Sequence, residues 1–289
     1  MEPRSPLTRV HVAWNFVVDA LVLALRAPGM RERGRVLGLA VRAFLTVASR
    51  QPGLLGRLFR APKLREYELR PAPDAPVLRL RSNDMVVMEV YGGRPYELDY
   101  EPLGEVDSIL DVGANVGTAS AFLATRFSGA RIVAVEPNPF TFELLRENLR
   151  RAAPEGIAVN AAVVARPGSY QLEPGTSPSN DQVVATPARG EGDLEALTVD
   201  ELLDRYLPGG VDLMKVDIEG GEHELFEGVA EWAPRVRAIV AEVHAPLTTE
   251  RACELLRAGG FEPLPVAPGR ARRELVFCLR AGRSQPVSA

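Results

Sequence analysis

Two short stretches of the chain combine glycine and acidic residues in a spacing that suits the binding of a nucleoside. Residues 109–117 read Ile-Leu-Asp-Val-Gly-Ala-Asn-Val-Gly, and residues 132–136 read Ile-Val-Ala-Val-Glu. Each begins as an apolar strand, and the second ends on Glu136. Glycines allow the backbone to approach a ligand closely, and an acid at the tip of the next strand can accept hydrogen bonds from both ribose hydroxyls. The pattern predicts a nucleoside-binding crevice.

The loop between these strands indicates which nucleoside is bound. Dinucleotide sites use G-x-G-x-x-G to seat a pyrophosphate on a helix N-terminus, but here Asn115 occupies the second glycine position. Asp111 closes the strand, and its negative charge suits a ligand that carries positive charge. S-adenosylmethionine, with its ammonium and sulfonium groups, meets this requirement, whereas NAD does not.

Each residue of the predicted cofactor site has an expected role and, in several cases, a simpler alternative. Gly113 and Gly117 are expected to pass close to the methionine part of the cofactor. Asp111 is expected to hold the ammonium, directly or through the loop backbone, unless it only braces the loop. Glu136 is expected to bind the ribose diol, because a carboxylate has two accepting oxygens. Asn115 in the loop and Asn138 and Ala161 in the expected adenosine pocket complete the set. The alternative for Asn138 and Ala161 is that they only form turns.

A second acidic block follows at residues 211–226, which read Val-Asp-Leu-Met-Lys-Val-Asp-Ile-Glu-Gly-Gly-Glu-His-Glu-Leu-Phe. A buried strand again ends in an acid, Asp217, before a double glycine and a helix. The next strand, residues 236–243, leads directly to His244. Because ligands of open parallel sheets bind beyond the carboxyl ends of the strands, Asp217 and His244 should share one rim with Asp111 and Glu136. An alcohol acceptor needs help to lose its proton. Asp217 is the first candidate base and His244 the second.

The other charged residues of this block receive mainly structural interpretations. Lys215 and Glu242 are expected to form a partly buried ion pair beneath the site, since an unpaired buried charge would be costly. Glu219 and His223 are expected to stabilise the start of the helix.

No metal ligand set is expected. A magnesium-assisted variant stays open, because Asp217, Glu219, Glu222 and Glu242 offer oxygen ligands. Cys253 and Cys278 have neither metal-ligand spacing nor the pattern of a disulfide framework.

The elements that must position these residues alternate between strand and helix from Val106 onward. Such alternation is typical of an α/β fold with a parallel sheet and helices on both faces. The predicted strands cover residues 106–112, 131–135, 157–164 and 236–243. A further buried strand is predicted to run into Asp217, and a final strand pair includes residues 274–279. The predicted helices cover residues 116–127, 140–152, 198–207 and 249–258. Residues 167–192, rich in Gly, Pro and Ser, are interpreted as an inserted hairpin or mobile loop near the site.

The chain divides into three predicted regions. Residues 1–61 are a helical appendage, residues 62–105 are a linker followed by a β-hairpin over residues 77–100, and residues 106–289 are the main domain. The first apolar stretch, residues 12–25, is too short for a bilayer span. It is not a convincing signal peptide either, because Asp19 interrupts it and no small-residue cleavage site follows. These helices are expected to pack on the main domain or on a second copy of the chain. The alternative is a basic interfacial helix or a lid.

Composition limits the partners. The formal net charge of −4 and the pI near 5.6 give no general attraction to nucleic acid. A small-molecule acceptor is therefore expected, with no nucleic acid and no stable membrane span. A reducing cytoplasm is the simplest setting for two free cysteines.

The chain resembles the FkbM-type family of S-adenosylmethionine-dependent methyltransferases over about residues 106–281. The resemblance rests on four stretches in this order: residues 111–117, residues 135–139 (Val-Glu-Pro-Asn-Pro), residues 214–222 and residues 242–244 (Glu-Val-His). It implies a Rossmann-like, seven-stranded, mostly parallel sheet. It also implies O-methylation of a hydroxyl, often on a sugar or a polyketide-type metabolite. Residues 1–60 lie outside the resemblance.

Two other classes of function stay open at this point. A nicotinamide-dependent oxidoreductase would need an intact diphosphate loop. A non-catalytic interaction protein on a methyltransferase scaffold would be expected to have lost Glu136 or the Asp111 loop, and both are intact.

Overall fold

The computed structural model describes residues 18–49, 63–81, 84–173, 182–186, 194–266 and 274–281. The chain divides into two compact units, Met1–Tyr96 and Glu97–Ala289. The beginning of the first predicted helix and the tip of the predicted hairpin lie outside the described residues. Within the described ranges, no helix combines the length and the apolarity that a bilayer crossing requires.

The first unit contains helices and one antiparallel strand pair. Residues 18–26 are helical, followed by α1 (Gly29–Ser49). Strand β1 (Glu66–Leu69) pairs with β2 (Leu78–Arg81), so that Glu66 lies opposite Arg81 and Leu69 opposite Leu78. A short helix, α2 (Val86–Met88), continues into a π-helical turn at Glu89–Gly93. The predicted N-terminal helices are therefore confirmed within the described residues, and an antiparallel strand pair precedes the main sheet in the chain.

The hairpin is formed by different residues from those predicted. Residues 77–100 were expected to fold back on themselves, but β2 instead pairs with β1, inside the stretch assigned to a linker. Residues 86–93, in the second half of the predicted hairpin, are helical. Their buried side chains fall at helical rather than alternating spacing, which explains the error: Val87, Met88, Val90 and Tyr91.

The second unit is built on a seven-stranded sheet in which five neighbouring strands are parallel, the sixth runs antiparallel to them, and the seventh, at the edge, pairs antiparallel with the sixth. The predicted α/β fold with a mostly parallel sheet is confirmed. The strands, in their order across the sheet, are β12 (Phe261–Pro263), β13 (Leu275–Arg280), β11 (Val236–Glu242), β10 (Val211–Val216), β3 (Ser108–Val112), β4 (Arg131–Val135) and β5 (Ile157–Val159).

Helices connect these strands, and three of them begin at side-chain caps. Thr198 and Glu201 form a capping box, and Thr248 caps another helix through its hydroxyl. The helices are α3 (Thr118–Arg126), α4 (Pro139–Ala152), α5 (Val199–Tyr206), α6 (Glu222–Glu227), α7 (Val229–Trp232) and α8 (Thr249–Ala258), with 3₁₀ turns at Glu101–Leu103 and Ala233–Arg235.

The predicted strand over residues 157–164 is divided in two. After β5, Asn160 donates hydrogen bonds from its side chain to the backbone oxygens of Glu136 and Pro137, at 2.8 and 3.0 Å. The chain then leaves the main sheet, and β6 (Ala162–Val163) pairs with β9 (Ala196–Leu197). Between them, β7 (Ser169–Glu173) and β8 (Gln182–Thr186) form the predicted inserted hairpin.

The two central strands β10 and β11 are buried along their whole length. Strands covered on both faces are normally continuous apolar runs. The charged exceptions are paired. At the amino end of the sheet, Arg237 Nε lies 3.1 Å from Asp212 Oδ1, and both side chains are fully buried. Arg237 also donates to the backbone oxygens of Leu103 and Glu105. Asp212 accepts hydrogen bonds from the backbone and hydroxyl of Ser108.

Candidate functional site

Glu136 connects the two loops that were predicted to hold a nucleoside. Its Oε2 accepts a hydrogen bond from the backbone N–H of Asn115 at 3.0 Å, and its Oε1 accepts one from the backbone N–H of Asn138 at 2.9 Å. The carboxylate thus holds the loop after β3 beside the end of β4. Since each carboxylate oxygen can accept more than one hydrogen bond, Glu136 retains accepting capacity for a ligand hydroxyl.

Asp111 is fully buried, and its carboxylate is bonded to protein groups. Lys215 Nζ lies 3.0 Å from Oδ1, and the Ser120 hydroxyl donates to Oδ2 at 2.5 Å. Lys215 also donates to the backbone oxygen of Gly113 at 2.7 Å. This geometry matches the alternative in which Asp111 braces the loop. An effect on a cofactor ammonium would then be transmitted through the loop backbone.

Lys215 has different partners from the one predicted. Its ion pairs go to Asp111 and, at 3.7 Å, to Asp217, while Glu242 acts on it at longer range. Strand register explains the error, because Lys215 lies opposite Asp111 on β3 and opposite Val240 on β11. Burial alone would lower the pKa of Lys215, but the charges of Asp111 and Asp217 outweigh it and raise the pKa. The ammonium therefore stays charged.

Two glycines of the loop are required by close packing within the protein. Gly113 has φ +77°, and a side chain there would collide with the backbone oxygen of Asp217. Gly117 has φ +84°, and a side chain there would come within 3.0 Å of Leu145 on α4. The glycines thus let the loop after β3 lie directly against the end of β10 and against α4. Their predicted proximity to the cofactor remains a proposal.

The remaining predicted cofactor residues all lie in turns beside Glu136. Asn115 adopts φ +52°, and its side-chain oxygen accepts a hydrogen bond from the Val116 amide at 2.8 Å. Asn138 caps α4 by accepting from the amides of Phe140 and Thr141. Ala161 is fully buried at the break between β5 and β6. Each of these residues therefore has a local structural role, and a role in binding adenosine remains a proposal.

A group of acids surrounds His244 where β10 and β11 end. His244 Nε2 lies 3.8 Å from Asp217 Oδ1, 3.7 Å from Glu219 Oε2 and 3.8 Å from Glu242 Oε1. Its Nδ1 is 2.9 Å from Glu222 Oε1. Three of these residues each offer a ligand atom within 4.8 Å of the others and could hold a metal ion: Asp217, Glu242 and His244.

Glu222 has a positioning role that was not predicted from the sequence. Its side chain is completely buried at the start of α6, where it accepts hydrogen bonds from the amides of Ile218 (3.0 Å) and Gly220 (3.1 Å) as well as contacting His244. One carboxylate therefore fixes both the turn after β10 and the ring of His244. The signal was present in the sequence, because an acid that directly follows a double glycine can reach back to amides of the preceding turn.

Protonation separates the two candidate bases. Burial would lower the pKa of His244, but its hydrogen bond to Glu222 and the nearby carboxylates outweigh burial and raise the pKa to about 9. At neutral pH both ring nitrogens of His244 therefore carry a proton, and the ring does not act as a base. His223 lies apart from this group, with Nε2 at 3.9 Å from Glu227 Oε1 on the exposed face of α6.

The structure brings the three key acids of the sequence together at the carboxyl edge of the sheet. Glu136 bonds to the loop after β3, that loop packs on the backbone of Asp217, and Lys215 joins Asp111 to Asp217. His244 completes the row beyond Asp217. The contacts are continuous from the predicted ribose-binding acid to the predicted catalytic groups.

Comparison with known proteins adds a family match. The family described as Methyltransferase FkbM domain matches residues 111–264. A hexuronic acid methyltransferase, AglP of Haloferax volcanii, is 31% identical over 157 residues, which are 54% of this chain and 64% of that protein. The 31-O-demethyl-FK506 methyltransferase FkbM of Streptomyces tacrolimicus is 29% identical over 209 residues, which are 60% of this chain and 79% of that protein.

The chain is also similar to part of a much longer protein and, at low identity, to a solved structure. The chain matches only 11% of the length of a third relative, the antimetabolite synthetase AmbE of Pseudomonas aeruginosa, at 29% identity over 64% of this chain. Among solved structures, fibrillarin of Aeropyrum pernix with bound S-adenosylmethionine is 17% identical with a TM-score of 0.40, covering 62% of this chain and 68% of fibrillarin. A likeness at these values carries no conclusion about function.

Proposed function

This chain belongs to the FkbM methyltransferase family, and on that premise we propose that it is an S-adenosylmethionine-dependent O-methyltransferase. The observation that supports the proposal is the continuous row of hydrogen bonds, close backbone packing and ion pairs at the carboxyl edge of the sheet, from Glu136 to His244. The acceptor is a hydroxyl of a small molecule, of the sugar or polyketide type.

The methyl donor binds at the end of the row that Glu136 organises. Glu136 accepts hydrogen bonds from the ribose diol, beside the amide bonds that it already makes. The loop from Gly113 to Gly117 supplies backbone groups to the methionine part. Its carbonyl at Gly113 is held by Lys215, which is in turn neutralised by Asp111. Asp111 therefore supports the loop, and Asn115, Asn138 and Ala161 shape the pocket around the nucleoside.

The acceptor hydroxyl binds at the other end of the row, next to Asp217 and His244. Methyl transfer is an in-line displacement, so the acceptor oxygen, the methyl carbon and the sulfur must be aligned, and much of the rate comes from that alignment. Asp217 accepts the hydroxyl proton, because its carboxylate is partly exposed at the edge where the acceptor enters. His244 is a cation at neutral pH and orients the acceptor oxygen.

A methyl-transfer assay tests this function. The full chain is incubated with methyl-labelled S-adenosylmethionine and a panel of neutral glycosides, hexuronides and polyketide-type alcohols, and products are identified by mass spectrometry and NMR. We expect labelled methyl ethers from at least one class. Label on nitrogen or carbon would contradict O-methylation, and failure to bind S-adenosylmethionine at millimolar concentration would contradict the function as a whole.

A further inference from the structure

The most concentrated group of potential ligands in the described residues is the one around His244, and two of its features go beyond proton transfer. Nε2 faces oxygens of Asp217 and Glu242, each at 3.8 Å. These separations are too long for hydrogen bonds. They suit two ligands of one cation, because atoms bound to a metal at about 2.1 Å lie up to about 4.2 Å apart.

Glu222 fixes the orientation of the His244 imidazole through its Nδ1 atom. Glu222 is completely buried, holds the turn after β10 through backbone amides, and contacts Nδ1 of His244 at 2.9 Å. With Nδ1 so engaged, Nε2 is the ring nitrogen presented to Asp217 and Glu242. A histidine that ligates a metal through one nitrogen usually donates its other N–H to a carboxylate or carbonyl in this way. Glu222 lies outside the three ligand residues, and its contact is an independent feature.

The local charge also favours a cation. Around Lys215 and His244 lie five carboxylates, those of Asp111, Asp217, Glu219, Glu222 and Glu242. Acids therefore exceed bases by three even when both bases are charged. Like charges held this close repel one another strongly in a partly buried setting. A divalent cation would relieve most of that repulsion.

From these features we propose that Asp217, Glu242 and His244 bind one divalent cation of the Mg²⁺ or Mn²⁺ type. This cation replaces the proton that His244 Nε2 carries at neutral pH when no cation is bound, and the cation then takes over the contact with the acceptor oxygen. The inference rests on the proposed function for the acceptor only, whereas the cation site stands on the protein's own geometry. Two carboxylates and one imidazole leave further octahedral positions for water and for the acceptor.

The cation supplies what a carboxylate alone lacks. Carboxylates in general are weak bases for an alcohol, and a cation that binds the acceptor oxygen lowers the pKa of the acceptor hydroxyl. The O–H bond then breaks, with the proton passing to the Asp217 oxygen that does not bind the cation. The new O–CH₃ bond forms as the S–CH₃ bond breaks, and the sulfonium becomes the neutral thioether of S-adenosylhomocysteine.

Manganese binding to the full chain tests the site without turnover. Chelator-treated protein is titrated with Mn²⁺ while the free ion is followed by electron paramagnetic resonance. We expect one Mn²⁺ per chain, with the dissociation constant raised at least about tenfold by Glu242→Gln and by His244→Gln. His223→Gln is the matched control, because His223 also lies near a glutamate, Glu227, but on the exposed side of α6, and it should leave the affinity unchanged.

The outcomes separate this inference from the proposed function. No Mn²⁺ binding at millimolar concentration, or binding that Glu242→Gln does not weaken, would overturn the cation site even if methyl transfer occurs. Turnover that is undiminished in excess chelator would overturn the catalytic part of the inference. In every case S-adenosylmethionine affinity is measured by calorimetry with and without chelator. If S-adenosylmethionine does not bind, the proposed function is refuted, while the Mn²⁺ titration still decides whether the cation site exists.

Discussion

The two ends of the central sheet treat buried charge differently. At the amino end, Asp212 and Arg237 form one fully buried pair, and backbone groups bond to both side chains. At the carboxyl end, five acids face one lysine and one histidine, and Asp217 and His244 are each about one-fifth exposed. A balanced and enclosed pair can only support the fold. An excess of acids at an accessible edge is arranged for a positively charged ligand.

The largest effect should come from breaking the pair at the amino end. Arg237→Met leaves the Asp212 carboxylate without its cation and leaves two backbone oxygens without a donor. We expect the free energy of unfolding to fall by about 3–5 kcal/mol, measured by urea denaturation. The S-adenosylmethionine affinity of the folded fraction should not change. A loss below about 1 kcal/mol would mean that the two ends are not distinguished by stability in this way.

At the carboxyl end, Asp217→Asn should affect activity and leave stability nearly unchanged. The amide keeps the shape of the side chain but accepts the acceptor proton poorly, so turnover should fall by about a hundredfold or more. S-adenosylmethionine affinity should be retained, and the free energy of unfolding should change by no more than about 1 kcal/mol. Single-turnover kinetics and calorimetry measure the two effects. Full activity in this variant would remove Asp217 from proton transfer.

Cofactor affinity should depend on Glu136. Removing the carboxylate in Glu136→Ala deletes the ribose acceptor and releases the Asn115 and Asn138 amides. We expect S-adenosylmethionine to bind at least about tenfold more weakly, a cost of about 1.4 kcal/mol, by calorimetry. Glu143→Ala, on the exposed part of α4, is the control and should leave the affinity unchanged. An unaltered dissociation constant in Glu136→Ala would contradict the ribose assignment.

The smallest expected effect is the loss of an exposed ion pair, which serves as the reference for the loss of the buried pair in Arg237→Met. Glu143 and Arg146 form an exposed ion pair at 2.8 Å on α4, with both side chains more than half exposed. Because water screens such pairs, Glu143→Ala should cost less than about 1 kcal/mol in the same denaturation experiment. A loss as large as that of Arg237→Met would show that burial does not set the difference between these ion pairs.

Local sequence was sufficient for the elements that carry the motifs. The strand at residues 131–135 and the helix at residues 249–258 have the predicted bounds, and the strand predicted before Asp217 is present at residues 211–216. Each is an apolar run or an amphipathic pattern that ends at a clear signal such as glycine or an acid. Residues 85–93 were wrongly predicted as a strand, because a short apolar run is compatible with either a strand or a helix.

The contacts that organise the site depend on register between strands that are distant in the chain. Lys215 meets Asp111 because β10 lies beside β3, a pairing across about a hundred residues that local pattern does not reveal. Likewise, the contact of Glu222 with His244 requires α6 to begin directly over the end of β11. Sequence therefore predicted which residues gather at the edge, but not which of them neutralise or orient one another.

A crystal structure of the full chain with S-adenosylhomocysteine and the preferred acceptor is the most direct test of this account. It should show the ribose hydroxyls within hydrogen-bond distance of Glu136 and the acceptor oxygen between the cofactor sulfur and Asp217. A cofactor bound elsewhere, or one whose sulfur points away from Asp217 and His244, would contradict the central claim that the acids at the carboxyl edge form one methyl-transfer site.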